Sequence, residues 1–216
     1  MKGLIGKKLG MSQIYDKTGK VTPVTVVQAG PCTVIDQMTE ERNGYSSIQL
    51  GFGEKKAKNV SKAVQGHCAK SGRDSNPPII IREFRADNNS EVEIGSVLTV
   101  EQFNESEFVD IVGTVKGRGF QGVVKKYNFG GGRYSHGGGW KRKPGSIGQC
   151  ESPAHVDKGK KMPGQMGNCR RTIQNLKIMR VVKEENLLYI KGAIPGPNGG
   201  IVIVRSAKKK PLAKQG

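Results

Sequence analysis

The 216-residue sequence predicts a mainly β protein with minor α, built as a closed or nearly closed β-barrel that is interrupted by a long basic arm. Three observations predict it. Short segments rich in Val, Ile and aromatics recur along the chain, each bounded by Gly, Pro or Asn, which is the pattern of barrel strands and tight turns. Residues 116–172 break that pattern: they hold 14 of the 31 glycines and one Ile, Ile147, with no Leu. The same residues carry 13 Lys and Arg against Glu151 and Asp157, so they supply +11 of the net +18 and leave +7 to the other 159 residues.

Taken in order, the predicted strands are Val21–Ala29, Cys32–Asp36, Ser47–Phe52, Ile79–Phe84, Ser96–Val100, Phe108–Val115, Leu176–Val182, Leu187–Lys191 and Ile201–Arg205. β-branched and aromatic side chains suit a pleated, half-buried surface, which is why these runs are read as strands. Leu176–Val182 and Leu187–Lys191 are joined by Lys183-Glu184-Glu185-Asn186 and read as a hairpin. Its partner before the arm is Phe108–Val115, so the arm leaves one barrel strand and returns to another. A second insertion, about residues 54–89, is polar and weakly helical from Lys55 to Lys70 and is broken by Pro77-Pro78. The end Lys208-Lys209-Lys210-Pro211-Leu212-Ala213-Lys214 is a basic tail.

An arm with almost no aliphatic residues cannot bury enough surface to offset the entropy of ordering its backbone, so a partner must order it. Cations interleaved with glycine fit a polyphosphate: each Lys or Arg at a phosphate releases counterions, and glycine lets the backbone approach closely. The cationic candidates are Lys116, Arg118, Lys125, Lys126, Arg133, Lys141, Arg142, Lys143, Lys158, Lys160, Lys161, Arg170 and Arg171. Tyr127, Phe129, Tyr134 and Trp140 stand among them. Tyr127 and Phe129 are expected to pack at the root of the arm against the barrel, whereas Trp140, between Gly139 and Lys141-Arg142-Lys143, is expected to contact RNA, where unpaired bases stack on aromatic rings.

Other classes are disfavoured. No apolar run reaches the roughly eighteen residues of a membrane span, and the start Met1-Lys2-Gly3-Leu4-Ile5-Gly6 lacks the apolar core of a signal peptide, so a cytosolic protein without a membrane partner is expected. Cys32, Cys68, Cys150 and Cys169 include no Cys-x-x-Cys pair and are read as reduced thiols. A metal site from Cys150, His155, Cys169 and His136 matches no tight ligand spacing, and no metal or cofactor is expected. Gly117-Arg118-Gly119-Phe120-Gln121-Gly122 satisfies Gly-x-Gly-x-x-Gly, but a dinucleotide site needs a long helix after it and an acid about twenty residues on, and Gly137–Lys141 occupies that place. No catalytic residues and no small-molecule substrate are expected.

Several segments resemble one family. Phe108–Phe129, Ser135-His136-Gly137, Pro144-Gly145-Ser146-Ile147-Gly148-Gln149 and Lys158–Asn168, with Gly3–Tyr15 and Leu188–Gly196 in the right order, are similar to the universal large-subunit ribosomal protein three family, of the bacterial type. The resemblance covers essentially the whole chain. It implies a β-barrel of the translation-factor type with a small α+β insertion and a long loop that threads into ribosomal RNA towards the peptidyl-transferase centre. It also implies early binding that nucleates assembly, neighbouring large-subunit proteins as partners, and a place in the cytoplasmic ribosome. On that basis residues 1–53 are the first part of the barrel, 54–95 the insertion, 96–115 the middle of the barrel, 116–172 the loop, 173–207 the last part and 208–216 the tail. His136 and Gln149 join the RNA-binding set through the family motifs, and Gly145, Ser146, Ile147, Gly148, Gln149 and Cys150 map to the loop tip. About 28 extended residues each way give a reach of at most roughly 90 Å. Two departures stand out: Trp140-Lys141-Arg142 occupies the place of a common Ser-His-Arg, and Glu151 stands where some bacterial members carry a methylated Gln. The alternatives are a free-standing RNA chaperone or assembly factor and a dinucleotide-binding enzyme.

Overall fold

The computed structural model describes residues 2–15, 19–73, 75–85 and 92–210. Of the basic tail, only Lys208–Lys210 falls within them. The chain divides into two compact units, one formed by the residues up to Thr114 and from Arg170 onward, the other by Val115–Cys169.

In chain order the strands are β1 (Gly3–Tyr15), β2 (Val21–Ala29), β3 (Cys32–Met38), β4 (Ser47–Phe52), β5 (Ile80–Arg85), β6 (Val97–Leu98), β7 (Phe108–Thr114), β8 (Phe120–Gln121), β9 (Gly164–Gln165), β10 (Arg170–Val182), β11 (Leu187–Lys191) and β12 (Ile201–Ser206). The helices are α1 (Glu40–Asn43), α2 (Lys62–Ala69) and α3 (Val123–Tyr127). A closed barrel runs β1-β12-β7-β10-β11-β2, with β2 returning to β1. Every pairing in it is antiparallel.

The expected mainly β fold with a closed barrel is the one observed, but the strand spacing does not reveal that the strands are shared between two sheets. β3, β4, β5 and β6 form a separate four-stranded sheet in the order β5-β4-β3-β6. Residues 1–53 and 96–115, expected to lie in the barrel, thus supply strands to both sheets. The expected strand Ser96–Val100 is cut to Val97–Leu98 because Val100–Gln102 turns into a 3-10 segment, while β10 extends back to Arg170. The weakly helical stretch Lys55–Lys70 contains the 3-10 turn Ala57–Asn59 and then α2, which buries Cys68.

β1 is the strand that the sequence conceals, since Gly3, Gly6 and Gly10 with Lys7 and Lys8 depress every strand signal. The glycines are there for closeness. A Cβ on Gly6 would lie 2.6 Å from the Gln28 carbonyl oxygen and 3.1 Å from the Ala29 Cα on β2, and a Cβ on Gly3 would collide with the ring of Phe84 from β5. Glycine within a strand commonly marks such an approach.

One apolar core joins the barrel and the second sheet: Leu4, Ile5, Val27, Ile111, Ile178, Leu188, Ile190 and Val204 cluster with Val34, Leu50 and Phe84. Ile111, Ile178, Leu188 and Ile190 are fully buried, and each contributes about 1.5–3 kcal/mol relative to exposure. Two buried charged groups of the barrel, Lys8 and Asp110, find partners. The Lys8 ammonium donates to the Ile194 and Gly196 carbonyl oxygens, both at 3.1 Å, and so holds the β11–β12 loop to β1. The Asp110 carboxylate, fully buried in β7, accepts from the Asn175 N–H at 3.0 Å and the Lys208 N–H at 3.3 Å and lies 3.8 Å from the Arg205 guanidinium. That carboxylate fixes a bulge: β10 shifts register between Ile173 and Leu176, and Asn175 takes a φ of 58° there.

Candidate nucleic-acid interface

β7 ends and β10 begins on one rung, with Thr114 opposite Arg170 and Gly113 opposite Arg171. Arg170 and Arg171 therefore belong to the barrel unit, both exposed. Beyond that rung the pairing continues within the second unit. The Val115 N–H donates to the Cys169 carbonyl at 3.1 Å, the Asn168 N–H to Val115 at 3.1 Å, the Arg118 N–H to Met166 at 2.8 Å and the Met166 N–H to Gly119 at 2.9 Å. β8 and β9 then pair through Phe120 with Gln165 and Gln121 with Gly164. Gly167 sits at φ 74°, where a Cβ would strike the Lys116 carbonyl oxygen, so the two strands touch backbone to backbone.

This ribbon disposes of the dinucleotide reading on positive grounds. Gly117–Gly122 lies in the ribbon, and α3 after it is only five residues long and stops at Asn128, whose φ of 60° ends the helix. Helix α3 has Lys125 and Lys126 in its last turn, where cations favour the exposed carbonyl end.

Val123 on α3 is the one buried residue of 115–169. Fifteen of the sixteen candidate RNA-binding side chains are exposed; Lys126 is half-buried. Lys126 lies with its ammonium 5.1 Å from the centroid of the Tyr127 ring, while Lys161, in the loop before β9, lies 5.8 Å from the same ring. Phe129 completes the group, its ring centroid 6.2 Å from that of Tyr127 and tilted by 45°. An aromatic face attracts both ammonium groups, so Tyr127 concentrates positive charge that sequence separation hides. Tyr127, half-buried, and Tyr134, 67% exposed, stand among these cations, as does Trp140, the one ring that the sequence singles out as a contact. Their interleaving with Lys126 and Arg133 is the signal that points to them.

Further along, Gly131 and Gly132 lie against Trp140 and Lys141. A Cβ on Gly131 would run into the Lys141 carbonyl oxygen, and one on Gly132 would lie 3.1 Å from the Trp140 Cβ and carbonyl oxygen. The Gly132 N–H donates to the Trp140 carbonyl at 3.2 Å, closing a loop that displays Arg133, Tyr134 and His136. His136 is held at φ 62° and is exposed.

Gly145–Lys161 is exposed throughout. Ser146 donates through its hydroxyl to the Gly148 carbonyl at 2.9 Å, and His155 pairs through Nδ1 with the Pro153 carbonyl at 2.8 Å. The His155 Nε2 lies 4.0 Å from the Asp157 carboxylate. Gln149, Cys150 and Glu151 stand free in solvent beside them.

Two features define what the surface can do. Among the described residues, no Lys or Arg of 115–169 forms an ion pair with a carboxylate of the protein, so eleven cations keep their charge for an outside partner. No group of three or more His, Cys, Asp or Glu among the described residues is arranged to hold a metal ion. All four cysteines are free thiols, with Cys32 and Cys68 buried and Cys150 and Cys169 exposed. The Cys32 thiol donates to the Ile5 carbonyl at 3.3 Å, and burial pushes it up to about 11, against a smaller lowering by the Ile5 backbone.

Comparison with known proteins agrees with the sequence motifs and the barrel. The sequence model of the family described as Ribosomal protein L3 matches residues 81–215. The chain is 52% identical over 208 residues to the large ribosomal subunit protein uL3 of Pelobacter propionicus, covering 96% of this chain and 99% of that one. It is 49% identical over 208 residues to the uL3 of Geobacter sulfurreducens, covering 96% and 98%, and 47% identical over 213 residues to that of Magnetococcus marinus, covering 98% and 99%. Matches of this identity span barrel, second sheet and basic unit together, and on them the chain belongs to the ribosomal protein L3 family.

Proposed function

We propose that this chain is a structural constituent of the large subunit of a bacterial ribosome, bound to large-subunit ribosomal RNA through residues 116–172. Family membership supports the first part: a protein of this family is a non-enzymatic component of a ribonucleoprotein that works in translation, in the cytoplasm, among ribosomal RNA and neighbouring large-subunit proteins. The observation that carries the RNA-binding part is the set of eleven cations on 115–169 that form no ion pair with a carboxylate among the described residues, on a unit that buries only Val123. Such a surface has phosphate as its natural counterion, and its glycines allow the backbone to lie close to the RNA.

The residues proposed to contact RNA are Lys116, Arg118, Lys125, Lys126, Arg133, His136, Trp140, Lys141, Arg142, Lys143, Gln149, Lys158, Lys160, Lys161, Arg170 and Arg171. Gly145–Cys150 form the proposed tip towards the peptidyl-transferase centre, on the strength of the family motif they carry and of their place just past Arg142, the midpoint of the excursion between Thr114 and Arg170. Because the arm needs RNA to neutralise it, binding also gathers RNA segments early, which is the proposed role in nucleating assembly.

Sedimentation tests this reading. The chain should remain at one copy per large subunit after a high-salt wash. Substoichiometric, salt-labile association would point to a free-standing chaperone or assembly factor instead.

A further inference from the structure

The loop closed by Gly131–Gly132 and Trp140–Lys141 borders a cleft of about 310 Å³, at the small end of the range for organic ligand sites. Two of its walls are aromatic, Phe129 and Trp140; glycine backbone from 130–132 lines it, and Lys143, Pro144 and Gly145 complete it. The Lys143 ammonium lies 5.3 Å from the centroid of the Trp140 ring, and the ring is 58% exposed. The Trp140 backbone packs close to Gly132, its Cβ and carbonyl oxygen lying 3.1 Å from where a side chain on Gly132 would begin. An exposed indole beside a cation offers two things at once, a face for stacking and a charge for phosphate.

Resting on the RNA-binding reading above, we infer that this cleft is a single-nucleotide site: one unpaired nucleotide of RNA stacks its base on Trp140, and Lys143 takes its phosphate. A paired base keeps both faces covered by its neighbours, so a duplex satisfies the lysine and not the indole. Lys141 and Arg142 on the adjoining backbone extend the contact to flanking phosphates, which favours a nucleotide within a strand over a free one.

Trp140 is the only tryptophan of the chain, so its fluorescence reports this site alone. The full-length protein is titrated at low salt with a short oligoadenylate, with an RNA duplex of equal phosphate number, and with AMP. The oligoadenylate should quench the fluorescence saturably, the duplex should bind with little quenching, and AMP should quench only at far higher concentration. By anisotropy of labelled RNA, Trp140→Ala should weaken oligoadenylate binding about ten-fold, in line with the removal of one stacked base, and more than it weakens duplex binding. Trp140→Phe should recover most of the affinity. Lys143→Ala should flatten the salt dependence by close to one phosphate.

Equal quenching by duplex and single strand, or equal weakening of both in Trp140→Ala, would overturn the nucleotide site while leaving the arm an RNA-binding surface. Tight quenching by AMP would make it a free-nucleotide site and overturn it too. Failure of the protein to bind either RNA at low salt would sink the RNA-binding reading itself, and this inference with it.

Discussion

Thr114 and Arg170 face each other as Cα partners on adjacent barrel strands, with the whole basic unit strung between them. The excursion therefore costs the barrel no strand, because β7 and β10 pair as an ordinary antiparallel rung where the arm leaves and returns. Stability of the barrel and binding by the arm are consequently separable by mutation.

Replacing Lys158, Lys160 and Lys161 together with Ala should weaken RNA binding at low salt. The slope of log affinity against log salt should fall by about 0.7–0.9 for each phosphate that is no longer neutralised. Melting of the barrel should not change, since all three side chains are exposed on the second unit. Titration of RNA at several salt concentrations checks it, and an unchanged slope would make the three lysines solvated bystanders.

Two glycine substitutions should act in opposite directions. Gly6→Ala places a methyl against the β2 backbone, which has no room to yield, and should destabilise the protein by about 2–4 kcal/mol. Gly66→Ala lies in α2 with open space around the new Cβ and should stabilise it by about 0.5–1 kcal/mol. Chemical denaturation of the purified chain measures both.

Those glycines also mark how far the sequence could be read. β2, β4 and β11 are legible to the residue because Val, Ile and Leu alternate between turn residues. β1 is not, since Gly3 and Gly6 are chosen by the Phe84 ring and the β2 backbone, neighbours that exist only in the folded protein. For the same reason strand spacing gives the β3–β6 strands but not their separation into a second sheet. In the basic unit, charge and glycine content announce the surface, whereas the gathering of Lys126 and Lys161 on Tyr127 depends on a ribbon that brings residues 35 apart in sequence together.

The thiols should fall into two classes. Cys150 and Cys169 should react quickly with a thiol reagent at neutral pH in the RNA-free protein, and Cys32 and Cys68 only on unfolding. Burial raises the Cys32 thiol from about 9 to about 11, so its contribution to stability is complete below about pH 9 and is lost as pH rises towards 11, where the unfolded chain ionises first. The loss is about 2–3 kcal/mol. Denaturation of the natural protein and of Cys32→Ala across that window should show the natural protein losing ground to the variant. A constant gap would contradict this account of the thiol.

Cys150→Trp probes the proposed tip. The substituted protein should still enter large subunits, because Cys150 is one exposed residue among many on the arm, yet added bulk should disturb peptide-bond formation or drug binding at the neighbouring centre. Cys150→Ser should be nearly silent. Peptidyl-transfer rates on subunits of verified stoichiometry decide it; normal rates and drug sensitivity in Cys150→Trp subunits would place the tip away from that centre.

On the proposed function, RNA, and not a core of its own, orders residues 115–169. Amide hydrogen exchange, followed in the free protein and in intact large subunits, tests it most directly. Exchange should be fast across Gly130–Lys161 in the free protein and slower by orders of magnitude in the subunit, while barrel amides such as those of Ile111 and Ile190 are protected in both. Strong protection of Gly130–Lys161 in the free protein, equal to that in the subunit, would contradict it.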